Sequence, residues 1–164
     1  MKEEVSRMKK FLTSILVIML VLVFSVILII TRSLSPYNQA KAETTELAGR
    51  KADLREVKDF YWFNGNETYF TITGSNSEGA SIVVIVQQDG GEIKVLDEED
   101  TISKERAIQL TVQREMPHKI LEARIGQYND TPVWEVSFEL ENDSIGYATF
   151  SLTSGEWVRT VKNI

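Results

Sequence analysis

The sequence predicts an α+β protein: an N-terminal transmembrane helix followed by two tandem units, each a helix packed on an antiparallel sheet. Two observations carry this. An uncharged apolar run opens the chain, and the remainder repeats one pattern of helix, strands and turns at an offset of 64 residues.

The run from Phe11 to Ile30 holds 20 residues without a charge, with Thr13, Ser14 and Ser25 as its polar members. A helix of that length reaches about 30 Å, the thickness of the hydrocarbon layer. It also bonds its own amides internally, as lipid requires. Lys2, Arg7, Lys9 and Lys10 precede the run, whereas Arg32 and Lys41 follow it. The excess of positive charge places residues 1–10 in the cytoplasm and the C-terminal part outside, in a single pass. Ala40-Lys41-Ala42 has the small-x-small form of a signal-peptide cleavage site. The run is longer than the usual apolar segment of a signal peptide, however, and that site lies ten residues past Ile30. An uncleaved anchor is the favoured reading.

Charge is distributed unevenly. Of 18 basic and 24 acidic residues, positions 1–32 take five and two, which leaves 13 and 22 beyond, a net of −9. So acidic a segment repels phosphate, and a nucleic-acid partner is not expected. The chain has no cysteine. Disulfides, zinc–thiolate sites and thiol chemistry are therefore excluded.

Beyond the run, Ser35-Pro36 suits the start of a new helix. Ala40, Leu47, Leu54 and Val57 keep a helical period across 39–58. Phe60–Phe63 reads as a strand closed by the turn Asn64-Gly65-Asn66, and further strands are expected at 68–73, 80–87 and 92–96. Asp89-Gly90-Gly91 marks another turn. Ser103 caps a second helix, with Glu105 in its first turn and Pro117 as its stop. Strands return at 120–128, 132–141, 145–152 and 156–161. An offset of 64 lays Gly91-Glu92-Ile93 on Gly155-Glu156-Trp157, Tyr69-Phe70 on Val133-Trp134 and Val86 on Phe150. The expected division is a tail (1–10), an anchor (11–30), a juxtamembrane helix with the first unit (31–100) and a second unit (101–164). Each unit is about 60 residues, small for standing alone, so the two are expected to pack together.

Chemistry is sparse. His118 follows Pro117 in a turn and reads as a solvated loop residue. No nucleophile elbow, phosphate loop or dinucleotide fingerprint occurs. Catalytic residues, metal ligands and cofactors are not expected, nor is a small-molecule substrate. Asp97-Glu98-Glu99-Asp100 offers carboxylates to a hard cation but lacks the spacing and central glycine of a calcium loop. A solvated linker ahead of the second helix is preferred. Asn66-Glu67-Thr68, Asn129-Asp130-Thr131 and Asn142-Asp143-Ser144 fit the glycosylation pattern, but asparagine is common in turns anyway. The aromatic run is more suggestive. Neighbouring strand residues face opposite sides, so four aromatics in a row cover both faces. Packing between the units is the plainer reading; a partner surface formed by Tyr61, Trp62 and Phe63 is the sharper one.

Ile102-Ser103-Lys104-Glu105-Arg106-Ala107, Thr131-Pro132-Val133-Trp134-Glu135-Val136 and Thr153-Ser154-Gly155-Glu156 resemble the opening helix, central strand and ending of a PepSY-type domain. The whole chain resembles the YpmB/TseB-like proteins of low-GC Gram-positive bacteria, which place two cystatin-like units behind one anchor. Phe60–Tyr69 echoes their aromatic strand, with Asn64 where those proteins carry histidine. The resemblance implies a non-catalytic regulator of cell-wall elongation at the outer face of the membrane, contacting another membrane-anchored protein, a penicillin-binding transpeptidase. A PepSY-type protease inhibitor or protease-regulating domain is the alternative.

Overall fold

The computed structural model describes the backbone of residues 2–89 and 91–163; the side chains of 2–11, 30, 31 and 33–35 lie outside the described set. Part of the expected Asp89-Gly90-Gly91 turn and the basic side chains ahead of the apolar run therefore fall beyond it. The chain divides into residues 1–40 and 41–164.

Helix α1 runs Lys2–Lys51. Its stretch Leu12–Ile29 has a mean hydropathy of 3.1 and no buried residue. Within it Ser25 Oγ donates to the Val21 carbonyl at 2.8 Å, which hides the hydroxyl along the helix. Pro36 lies inside α1, where the sequence suggests the start of a new element. The expected second boundary also moves: the helix stops at Lys51, not near Lys58. Asp53 adopts the left-handed conformation (φ 53°) that ends helices. Its carboxylate is held by Arg55 at 2.6 Å and by the Ser77 hydroxyl.

Residues 41–164 contain two four-stranded antiparallel sheets in simple meander order. The first comprises β1 (Leu54–Asn64), β2 (Thr68–Asn76), β3 (Ser81–Gln87) and β4 (Ile93–Asp97). The second comprises β5 (Lys119–Tyr128), β6 (Thr131–Glu139), β7 (Ile145–Ser151) and β8 (Trp157–Val161). Helix α2 (Lys104–Glu115) precedes the second sheet; Ser103 Oγ accepts from the Arg106 amide, as a cap should.

One face of the first sheet carries Leu54, Ile72, Ile82, Val84 and Val86 against Ala48 of α1. Its other face carries Phe63, Tyr69, Val83 and Ile85, which join Ile125, Val133 and Val136 of the second sheet in a shared core. The second sheet turns Phe138, Ala148 and Phe150 toward Leu110 of α2.

The 64-residue offset holds for β3 and β4, whose bounds map onto those of β7 and β8. It fails by one residue in the first hairpin. The loop between β1 and β2 has three residues, 65–67, whereas β5 and β6 are joined by Asn129 and Asp130 alone, both at positive φ. That is the two-residue hairpin turn. Consequently Phe63 pairs with Tyr69 in one sheet, and Gly126 pairs with the equivalent Val133 in the other.

Candidate functional site

The three aromatics proposed as a surface have three different fates. Phe63 is fully buried, so it does not belong to any surface. A Cβ built on Gly126 would stand 2.1 Å from Phe63 Cγ, so the ring rests directly on that glycine. Beside it, Thr71 Oγ1 donates to the Ile125 carbonyl at 3.1 Å. The first sheet thus receives β5, an edge strand, on its inner face and fills one of its free carbonyls. Tyr61 is half-buried, edge-on to Trp134 at 5.6 Å. Trp62 points to the other face, half-exposed, edge-on to Phe70 at 5.0 Å and donating to Asn64 Oδ1 at 2.9 Å.

Tyr61 also floors a cleft of about 240 Å³ between the first sheet and the start of α2, together with Val83, Ile125 and Trp134. Burial, with Asp59, Glu98 and Glu105 nearby, pushes the Tyr61 hydroxyl up to about 12, so it stays a neutral donor. At the lip Lys58 Nζ meets Glu98 Oε1 at 3.3 Å, which gives one member of the acidic run a partner. Among the described residues no three His, Asp or Glu side chains gather as metal ligands do.

A second charged arrangement lies on the face of the second sheet opposite α2. Cross-strand register aligns Arg124, Glu135, Thr149 and Arg159 in one row over β5 to β8. Glu135 is buried between Arg124 Nε at 3.3 Å and Arg159 Nη2 at 3.6 Å. Arg159 lies over the Tyr128 ring at 4.1 Å, and Arg124 faces the Tyr147 ring at 5.8 Å.

Residues 43–87 match the family model described as the cell wall elongation regulator TseB-like domain; they include the end of α1 and all of β1 to β3. The chain is 22% identical over 149 residues to "Probable cell wall elongation regulator TseB" of Bacillus subtilis (strain 168), covering 85% of this chain and 91% of that protein. The chain is thus similar to TseB along most of its length. The solved structure of the YpmB protein from Bacillus subtilis superposes with a TM-score of 0.65 at 22% identity, over 76% of this chain and 94% of that one. The α+β architecture of the chain is thereby shared with a known structure.

Two features of the site are not visible in the sequence. Gly126 carries no turn signal; only its place beneath Phe63 explains it. Glu135 did leave a trace, as a charge between Trp134 and Val136 in a strand buried on both sides. Burial pushes its carboxyl above the usual carboxylate range, against the pull of Arg124 and Arg159. The folded state therefore holds this proton more tightly than the unfolded chain. Its contribution to stability falls as pH rises from the unfolded value, about 4.3, through the raised folded one. Glu135→Gln is expected to leave the protein at least as stable at neutral pH and to remove this part of the pH dependence. Urea unfolding across pH checks it; a large loss at neutral pH would contradict the assignment.

Proposed function

We propose that the chain is a non-catalytic, membrane-anchored binding module that regulates cell-wall elongation by contacting a penicillin-binding transpeptidase outside the cell. The observation that carries this is the apolar helix Leu12–Ile29, none of it buried, ahead of a two-sheet fold. Similarity along most of a protein named as a cell-wall elongation regulator supports it. The anchor gives the rest of the chain a purpose: partners in one membrane meet at a raised effective concentration. In this reading residues 1–10 are the cytoplasmic tail, 11–30 the anchor, 31–100 the juxtamembrane helix with the first cystatin-like unit, and 101–164 the second. Trp62, with Tyr61 at the cleft, remains the aromatic candidate for the partner surface.

Absence of cysteine makes topology directly readable. A single cysteine introduced as Ser154→Cys is expected to react with a membrane-impermeant maleimide in intact cells, and one introduced as Ser6→Cys only after permeabilisation. The reverse pattern would overturn the orientation. For the function itself, a photo-crosslinking residue at Trp62 or Tyr147 should capture a wall-synthesis transpeptidase in growing cells. Recovery of no wall-synthesis enzyme from either position would sink the reading.

A further inference from the structure

The two sheets share one strand order, and on the second sheet the Gly126 and Val133 end of the corresponding face lies in the core shared with the first. On the first sheet, the face of Phe63, Tyr69 and Thr71 receives the edge strand β5. The register makes Gly126, Val133 and Glu135 the equivalents of those three residues. Thus the row Arg124, Glu135, Thr149 and Arg159 occupies, on the second sheet, the very face that serves as a docking face on the first. Helix α2 packs on the opposite side.

This face is not saturated. At 3.3 and 3.6 Å from Glu135, both guanidinium groups are loosely paired, well short of a two-bond fork. Among the described residues, two buried side-chain polar atoms have no hydrogen-bond partner: Thr149 Oγ1 and Arg159 Nε. Both belong to this one row. Buried polar atoms are rarely left unpaired, so these two show that the row is under-bonded beneath its exposed guanidinium ends. Both arginine side chains remain partly exposed, at 23% and 31%. The row carries a net charge of +1 within a segment of net −9.

We propose that this face of the second sheet docks an extended segment of another protein that presents a carboxylate to Arg124 and Arg159. Glu135 is then an internal competitor: it holds the arginines in place until the partner's carboxylate takes over part of their bonding. The inference rests on the binding-module reading, and the two fail separately: crosslinking reads whether a partner exists, the titration below reads where a carboxylate lands.

The test uses the full chain in detergent micelles with its arginine side chains labelled with nitrogen-15. The probe is a capped five-residue peptide of alternating threonine and valine with one central glutamate; its glutamine twin is the control. The glutamate peptide is expected to shift the Nε–H signals of Arg124 and Arg159, and the twin to leave them unmoved. Arg159→Gln should weaken binding about tenfold, and Glu135→Gln should tighten it about tenfold by removing the competitor. A purely structural ion triad predicts no tightening in Glu135→Gln. That result, or an equal response to both peptides, overturns the proposal. If Arg159→Gln fails to fold, Arg159→Lys takes its place, because it keeps the charge and loses the fork.

Discussion

Phe63→Ala will destabilise the folded region by about 4 kcal/mol, as expected for removing a fully buried aromatic ring. Against a total of about 5–15 kcal/mol for a domain, that is a large share. The measurement is denaturant unfolding of the full chain, followed by the emission of Trp62, Trp134 and Trp157. Gly126 makes the experiment specific. Its φ is not positive, so alanine is conformationally acceptable there, and the obstacle to a methyl group is the Phe63 ring. Gly126→Ala alone should cost about 1–3 kcal/mol through overpacking. In the Phe63→Ala background the same methyl enters vacated space and should cost nearly nothing. The two changes are therefore strongly non-additive. Additive losses would show that the ring and the glycine do not act as one lock between the sheets.

The second large effect is expected at Glu115, at the end of α2. Its carboxylate is 5% exposed and takes Lys162 Nζ at 2.6 Å, the Thr160 hydroxyl at 2.8 Å and Arg114 Nε at 3.4 Å. These bonds fasten the last strand to the helix end. Glu115→Ala should cost about 2 kcal/mol, since hydrogen bonds to charged groups are the stronger ones. Burial opposes ionisation here, but the bonds from Lys162 and Thr160, with the charge of Arg114, hold this carboxyl below the usual carboxylate range. The sign is opposite to that at Glu135. Stability from Glu115 is fully present above the unfolded value, about 4.3, and is lost as pH falls through the lower folded one. Glu115→Ala should therefore flatten acid unfolding, which a pH titration of the unfolding midpoint will show. An unchanged acid limb would remove Glu115 from this role.

Much of the fold was legible because it is local. The apolar run, the Ser103 cap, the turn residues and the strand alternation each act over a few positions, and the repeat multiplied their signal. The end of α1 was not legible. Leu54, Val57 and their neighbours continue a helical period, yet the helix ends because Asp53 turns left-handed and is held by Ser77, 24 positions away. Nor could the fate of the aromatic strand be read. Alternation says that Phe63 and Trp62 face opposite sides; it does not say which side meets Gly126. The charged row is the extreme case, since four residues on four strands become neighbours only once every register is set.

The contact between the two sheets has a further consequence. Phe63 rests on Gly126, its own counterpart in the second sheet, so the two sheets meet partly through equivalent positions. Contact between equivalent positions is the self-complementary kind found at two-fold interfaces. One position therefore has to serve both sheets, and it is filled from one side alone: a ring at 63 and bare backbone at 126.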